Sequence, residues 1–170
     1  GSPERPVSRL ARLLVPRSLA LIGGHPAETA IEQCRRLGFG GDLWAVHPTR
    51  SEMAGVPCVP TVEDLPAAPD AALVAVNRKA TVEVVGSLAA MGAGAAVCYA
   101  SGFAEAGPEG MALQEALSEA AGDMPVVGPN CYGTVSAVAG AALWPDQQGL
   151  RRVDGGVALV TQSGNIGLDL

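Results

Sequence analysis

Lysine is almost missing from this sequence, because Lys79 is the only one and every other basic residue is an arginine. Acidic residues outnumber basic ones 17 to 11, which gives a formal net charge of −6 at pH 7. A nucleic-acid-binding protein needs a basic face to neutralise phosphates, so we expect no nucleic-acid partner. Long apolar runs are missing too. None approaches the roughly 20 residues that cross a bilayer, so the sequence predicts no membrane partner.

Patterns that hold metals or form disulfides are also missing. The sequence has four cysteines without a Cys-x-x-Cys pair: Cys34, Cys58, Cys98 and Cys131. The two histidines, His25 and His47, each stand beside a proline and lack metal-ligand spacing. We therefore predict no metal site, reduced thiols and a cytoplasmic location. Each histidine is either a ligand contact or an ordinary polar loop residue.

Strand-like and helix-like segments alternate along the chain, with short loops between them. Hydrophobic residues make up 48% of the sequence and charged residues 16%, which is ordinary for a packed globular core. Strands are predicted at 18–22, 42–47, 71–76, 95–99 and 125–127, and a loop with Pro57 and Pro60 follows the second of them. Helices are predicted at 28–37, around 82–89 and at 111–121. This alternation predicts an α/β fold of the doubly wound, Rossmann-like type, with a mainly parallel sheet and helices on both faces.

The chain divides into four predicted segments. Residues 1–9 hold a tag-cleavage scar, Gly1-Ser2, and an N-terminal arm. Residues 10–143 form the Rossmann-like domain, 144–156 a linker, and 157–170 the first strand of a second, incomplete α/β domain. In the last segment four apolar residues run into a turn with Ser163 and Gly164, a pattern typical of a strand that opens onto an anion-binding helix N-terminus. We expect the chain to be a piece of a larger protein.

The loops at the carboxyl ends of the strands are the candidate binding site, because doubly wound folds bind ligands there, near the switch point in strand order. This rule selects residues 23–26, 47–50, 77–79, 101–103 and 130–133. Gly23 and Gly24 let the backbone approach a diphosphate closely, but the Gly-x-Gly-x-x-Gly fingerprint is absent. A plain tight turn is the alternative for the first loop.

Charged residues near the second and third loops distinguish between cofactors. An NAD-dependent dehydrogenase needs an acid near the end of its second strand, and this sequence has Arg50 instead. Arg50 could bind a terminal phosphate on a ribose, which both NADP and coenzyme A carry, or it could simply be solvated. Arg78 and Lys79 leave the same two interpretations open. Cys131 has no base beside it in sequence, and Ser163 lacks the Gly-x-Ser-x-Gly elbow, so no catalytic set is complete.

Several segments carry a resemblance to a known family. The most specific are Gly128-Pro-Asn-Cys-Tyr-Gly133 and Val160-Thr-Gln-Ser-Gly164. Upstream, in matching order, stand Pro16-Arg-Ser-Leu-Ala-Leu-Ile-Gly23, Trp44-Ala-Val-His-Pro48, Pro69-Asp-Ala-Ala-Leu-Val-Ala-Val76 and Ala100-Ser-Gly-Phe-Ala-Glu105. From about Leu10 onward the chain resembles the N-terminal CoA-binding domain of the NDP-forming acyl-CoA synthetases, the superfamily of the succinyl-CoA synthetase α subunit.

The resemblance implies a set of site residues. Coenzyme A would be held by Gly23, Gly24, His25, Arg50, Asn77, Arg78, Lys79, Ser101, Gly102 and Phe103. Contacts to phosphate or to the phosphohistidine loop would come from Asn130, Cys131, Gly133, Ser163, Gly164 and Asn165. The implied cofactor of this chain is coenzyme A, whereas ATP or ADP and Mg would bind only to other domains.

The resemblance also implies a ligase reaction and its partners. In the family, acyl-CoA and phosphate give an acyl phosphate, whose phosphoryl group passes to a histidine and then to a nucleoside diphosphate. That histidine lies in the family's second domain, and neither His25 nor His47 matches it, so this polypeptide alone should not complete the reaction. The expected partners are CoA, acyl-CoA, and ligase and nucleotide-grasp domains in the same chain or another subunit; a homo-oligomer stays open.

Two departures from the family pattern leave alternatives open. The first loop is shorter than the family's Gly-Ala-Ser…Gly segment, and Asn77 replaces the usual proline after the central strand. A non-catalytic CoA-sensing module, for example of a protein acetyltransferase, is therefore one alternative function. A dehydrogenase domain that binds NADP is another, although the missing glycine fingerprint and the two downstream motifs disfavour it.

Overall fold

The computed structural model describes residues 6–156. The strand and turn predicted at 157–170, with Ser163, Gly164 and Asn165, lie outside the described residues. The helices are α1 (Pro6–Leu14), α2 (His25–Arg36), α3 (Arg78–Ala90) and α4 (Pro108–Ala121). The strands are β1 (Ser18–Gly23), β2 (Asp42–Val46), β3 (Glu52–Met53), β4 (Val56–Val59), β5 (Ala71–Ala75), β6 (Ala96–Cys98), β7 (Val126–Val127), β8 (Thr134–Ser136) and β9 (Ala141–Leu143).

Seven strands form one sheet in the order β3-β4-β2-β1-β5-β6-β7. Neighbouring strands pair in parallel, apart from the short antiparallel pair β3–β4. All six residues of the central strand β1 are buried. Such continuous apolar strands are typical of a parallel sheet that is covered on both faces.

Helices cover both faces because successive strand side chains point in opposite directions. Leu19 and Leu21 of β1 pack in a core cluster with Ile31 of α2. Ala20 and Ile22 belong to the opposite cluster, which includes residues of α3 and α4. The predicted Rossmann-like, doubly wound fold is confirmed. The strand order reverses between β1 and β5, so the switch point lies between these two strands.

The first connection is shorter than the sequence indicated. Strand β1 ends at Gly23 and α2 begins at His25, so Gly24 alone joins them. The prediction began this helix at residue 28, because Pro26 suggested a turn. Pro26 instead lies within the first two positions of α2, where a proline costs nothing because its missing N–H would have no helical partner.

The predicted loop around Pro57 contains strands β3 and β4. Its ladder avoids the missing N–H of Pro57: the N–H of Cys58 donates to the Ser51 carbonyl at 2.9 Å, and the N–H of His47 donates to the Val59 carbonyl at 3.0 Å. The loop prediction was wrong here because it rested on proline content, whereas the hydrogen bonds pass through the residues beside Pro57.

Residues 134–143 form an antiparallel hairpin, β8–β9, that packs on α2. The thiol of Cys34 both donates to the Ala142 carbonyl and accepts from its N–H, with both distances 3.3 Å. Burial raises the pKa of Cys34 to about 11, so the thiol stays protonated at neutral pH and can donate. No helix or strand was predicted for this stretch because its small residues show neither helical nor strand periodicity.

Residues 144–156 contain no helix or strand in the structure, and they lie along α2. Arg36 donates to the carbonyls of Gln148 at 2.7 Å and Leu150 at 3.0 Å. The N–H of Val153 donates to the Ala137 carbonyl at 3.2 Å. Residues 144–156, predicted to be a linker, are therefore held against the rest of the fold at several points.

Candidate functional site

A cleft of about 410 Å³ opens at the switch point, at the carboxyl edge of the sheet. It is lined by Pro26, Ala75, Val76, Tyr99, Ala100, Ser101, Asn130 and Tyr132. Its volume falls in the usual range for small-molecule sites. A smaller cleft of about 230 Å³ lies beside Arg12 at the amino ends of β6 and β7, the edge at which doubly wound folds do not bind nucleotides.

The first turn allows close backbone contact at the cleft. Gly23 has φ +132°, and a Cβ there would lie 2.2 Å from the Ala75 carbonyl oxygen, so no larger residue fits between β1 and β5. Gly24 precedes α2, and no side chain caps that helix. A Cβ on Gly24 would meet no protein atom within 4 Å. The exposed helix N-terminus therefore offers backbone N–H groups and a positive dipole end to an anion.

Arg50 is held in place by two groups that sequence reasoning did not connect. Its guanidinium donates twice to the Glu28 carboxylate, at 2.8 and 2.9 Å. This pairing, helped by the N–H of Ala54, lowers the pKa of Glu28 to about 2. The Nδ1 of His47 accepts the N–H groups of Thr49, at 3.2 Å, and Arg50, at 3.0 Å. Arg50 keeps 38% of its side chain exposed, so the oriented cation remains reachable by a ligand phosphate.

Asn77 and Arg78, which follow β5, form hydrogen bonds within the chain. The side chain of Asn77 accepts the N–H of Ala80 at 2.9 Å and so caps α3. Arg78 donates to the Gly102 carbonyl at 2.8 Å and to Glu109 at 3.0 Å. Lys79 is exposed. Arg78 therefore joins the loops after β5 and β6, and Lys79 is the exposed cation of this turn.

The loop after β6 presents Ser101 to the cleft and turns its neighbours away. Phe103 is fully buried in the core, at 0% exposure, so its side chain is out of reach of a ligand. The carboxylate of Glu105 accepts the Gly102 N–H at 2.7 Å. Backbone N–H groups of Glu105 itself and of Gly102 lower the pKa of Glu105, which keeps this loop closed by an ionised carboxylate.

The turn after β7 is anchored to the end of β6. The N–H of Asn130 donates to the Ala100 carbonyl at 2.8 Å, and that of Cys131 to the Cys98 carbonyl at 3.4 Å. Asn130 lines the cleft, whereas Cys131 is half-buried. Gly133 has φ +133°, and a Cβ there would lie 1.9 Å from the Leu143 carbonyl oxygen. The hairpin thus requires glycine at this position for packing.

Two cleft residues were missed by the sequence analysis, Tyr99 and Tyr132. Their rings meet edge to face with centroids 6.1 Å apart. Tyr132 also contacts Trp144, at 5.3 Å. The available signal was their position, since Tyr99 directly follows β6 and Tyr132 lies inside the predicted 130–133 loop.

The family model described as "CoA binding domain" matches residues 17–137. The chain belongs to the CoA-binding domain family. The matched range runs from the residue before β1 into the loop of the β8–β9 hairpin, and it contains every loop around the cleft. This assignment favours coenzyme A over NADP as the ligand.

The relatives of this CoA-binding domain are acyl-CoA ligases. It is 37% identical over 76% of its length to a trans-feruloyl-CoA synthase from an unknown prokaryotic organism, and 34% identical over 75% to acetate–CoA ligase (ADP-forming) I of Archaeoglobus fulgidus. The chain spans only 19% of each of these two relatives.

A solved structure of an acetyl-coenzyme A synthetase has a similar fold. The apo form of the dinucleotide forming acetyl-coenzyme A synthetase 1 of Ca. Korarchaeum cryptofilum has a TM-score of 0.82 and 29% identity, covering 94% of this chain and 36% of that one. The predicted resemblance to the CoA-binding domain of these synthetases is thereby confirmed.

The described part of the chain has neither a candidate metal site nor a candidate membrane span. Within residues 6–156, no cluster of three or more His, Cys, Asp or Glu side chains could hold a metal ion. Over the same residues, no helix combines the length and apolar character needed to cross a bilayer.

Proposed function

We propose that this domain holds CoA or an acyl-CoA across the switch point. The N–H groups at the start of α2 would take the diphosphate, and Arg50 the terminal ribose phosphate. Ser101, Asn130 and Cys131 would flank the thiol end. The observation that carries the proposal is the position of the cleft, which lies beside an uncapped helix N-terminus at the switch point of a CoA-binding family member.

The fold supports one orientation of the ligand. In doubly wound folds the adenosine half lies over the end of the second strand, where a residue contacts the ribose or its phosphate. Here that position belongs to Arg50, beyond β2. The remainder of the ligand would then cross β1 towards β5 and β6, which brings its thiol end to Ser101 and Asn130.

We further propose that the whole protein is a cytoplasmic ADP-forming acyl-CoA synthetase. It would convert acyl-CoA, ADP and phosphate to acid, CoA and ATP through an acyl phosphate and a phosphohistidine. The histidine, ATP or ADP and Mg would belong to ligase and nucleotide-grasp domains, in the same chain or another subunit, with Ser163, Gly164 and Asn165 at the phosphohistidine loop. Support comes from relatives called ADP-forming ligases, one of them an α subunit.

A CoA-sensing regulatory module is the second candidate, and the single-residue connection between β1 and α2 favours it. Such a short loop offers fewer backbone N–H groups to a diphosphate. A full-length protein that binds CoA without forming an acyl-CoA from acid and ATP would support this second function over the first.

The test of the CoA site is calorimetric titration of the chain with CoA and with NADP. We expect micromolar CoA binding and none for NADP. Gly24→Ala should weaken CoA binding at least about fivefold, because its methyl group enters space kept open for the ligand, and overpacking costs ~1–3 kcal/mol. Gly40→Ala is the matched control, since a Cβ there also meets no protein atom within 4 Å but lies away from the cleft. Equal affinities in the two variants would contradict the proposed diphosphate position.

A further inference from the structure

Aromatic residues are scarce in this chain, and three of them gather at one end of the cleft. Phe, Trp and Tyr make up 4% of the sequence, with two of each. Both tyrosines line the cleft, and Trp144 continues the row behind Tyr132. Tyr99 and Tyr132 meet at an interplanar angle of 84°, and Tyr132 and Trp144 at 43°. We call Tyr99, Tyr132 and Trp144 the aromatic row.

The aromatic row is anchored at one end and open at the other. Trp144 packs against the core cluster that contains Leu143 of β9. Tyr132 is half-buried between its two neighbours. Tyr99 is 36% exposed and belongs to the cleft wall. A row built only to seat the hairpin would need Tyr132 and Trp144, whereas the partly exposed ring of Tyr99 is available to a ligand.

The position of the aromatic row tells which part of a ligand would meet it, and this step rests on the proposed function. Arg50 marks the adenosine end, beyond β2, whereas Tyr99 follows β6 and Tyr132 follows β7 on the other side of the switch point. The polar groups beside the row, Ser101 and Asn130, carry no charge. The acyl end of an acyl-CoA would thus meet uncharged groups and ring surface.

We propose that the aromatic row selects aromatic acyl groups, so that the substrates of this protein are arylacyl or cinnamoyl-type thioesters and their acids. An aryl ring of the acyl group would make an edge-to-face or offset contact with Tyr99. Tyr132 contacts the Tyr99 ring and supports it. Each such pair contributes ~0.5–1.5 kcal/mol beyond area burial, which corresponds to a preference of about twofold to tenfold. An acetyl group has no ring and gains none of this binding free energy.

The test compares thioesters on the same chain by calorimetric titration with CoA, acetyl-CoA and cinnamoyl-CoA. We expect cinnamoyl-CoA to bind about threefold to tenfold more tightly than acetyl-CoA. Tyr99→Phe keeps the ring and should keep this preference. Tyr99→Leu should abolish it, so that cinnamoyl-CoA binds no more tightly than acetyl-CoA. Tyr132→Leu gives a second variant with the same expected loss, and the far-ultraviolet circular dichroism of each variant reports its folding.

Each contrary result has a distinct meaning. Equal affinities for acetyl-CoA and cinnamoyl-CoA, with CoA still bound, would overturn the selectivity and leave the CoA site standing. An equal loss for all three ligands in Tyr99→Leu would assign Tyr99 to the common part of CoA, such as the adenine ring, and would also overturn it. Failure of the unsubstituted chain to bind any of the three would refute the proposed CoA site and this inference together.

Discussion

At the scale of single residues, Arg50 is the side chain that we propose to bind the terminal ribose phosphate. Its two donated hydrogen bonds to Glu28 fix the plane of the guanidinium, and its loop is bonded to His47. A phosphate would share this cation with Glu28 rather than replace the carboxylate. Charge-assisted hydrogen bonds of this kind are worth ~1.5–3 kcal/mol.

We predict that Arg50→Ala weakens CoA binding by at least about tenfold. The affinity for dephospho-CoA, which lacks the terminal phosphate, should fall less than about twofold in the same variant, because this ligand has no phosphate for the guanidinium to bind. Calorimetric titration of both ligands measures the difference. Arg17→Ala is the charge-matched control, since this exposed arginine precedes β1 at the opposite edge of the sheet. An equal loss for the two ligands would show that Arg50 acts through loop structure and not through the phosphate.

Glu28 supplies a pH dependence of stability. The pKa of this carboxyl is lowered from 4.5 to about 2 in the folded chain, first by the Arg50 hydrogen bond. A lowered folded pKa stabilises the native state above the unfolded pKa, and this contribution declines as the pH falls from 4.5 through about 2. We predict that Glu28→Gln lowers the urea midpoint at pH 7 and that its deficit shrinks at pH 3. Glu83→Gln, at an exposed position on α3, is the control and should shift neither midpoint. A deficit that grows towards acid pH would contradict the ion pair.

At the scale of elements, the β8–β9 hairpin depends on one glycine. Gly133 combines φ +133° with a Cβ position 1.9 Å from the Leu143 carbonyl oxygen. We predict that Gly133→Ala destabilises the chain by about 2–4 kcal/mol, because strain and a backbone clash act together. Urea unfolding followed by circular dichroism measures this, with Gly40→Ala as the control. A loss of CoA affinity without a loss of stability would instead support the predicted phosphate contact of Gly133.

The elements that could be predicted from sequence are those with a strong local pattern. Strands β1 and β5 are continuous apolar runs, and α2 has Ala30, Ile31 and Cys34 on one face, so each was found with small errors at its ends. Strands β3 and β4 were missed because the two-residue β3 is too short to carry a pattern and Pro57 lowers strand propensity. The hairpin was missed because it packs on α2, where its hydrogen-bond partner Cys34 lies 108 residues earlier in the sequence.

At the scale of the whole molecule, the cleft is a consequence of topology. Its walls come from loops that follow β1, β5, β6 and β7, which meet only because the strand order reverses at β1 and β5. Sequence reasoning located the loops because strand ends can be predicted. It could not tell that Phe103 enters the core, or that Arg78 bonds to Gly102 and Glu109, 24 and 31 residues away. Side-chain direction in loops follows no periodic pattern, so it could not be predicted from the sequence.

The whole-molecule arrangement also includes residues 144–156, which are bonded to α2. Residues 144–156 were predicted to be a linker, yet Arg36 binds the carbonyls of Gln148 and Leu150. A segment docked in this way would fix the direction in which the chain leaves the domain. Its hydrogen bonds are exposed, so local opening should be common and sensitive to their loss.

We predict that Arg36→Ala speeds tryptic cleavage after Arg151 and Arg152 by at least about fivefold, because losing two hydrogen bonds worth ~0.5–1.5 kcal/mol each raises the population of the opened segment. Limited proteolysis followed by mass spectrometry locates and times the cuts. The adjacent Arg35→Ala is the matched control, since Arg35 donates to the Ala54 carbonyl on the other side of α2. If cleavage is equally fast in the unsubstituted chain and in both variants, Arg36 does not hold residues 144–156 against α2.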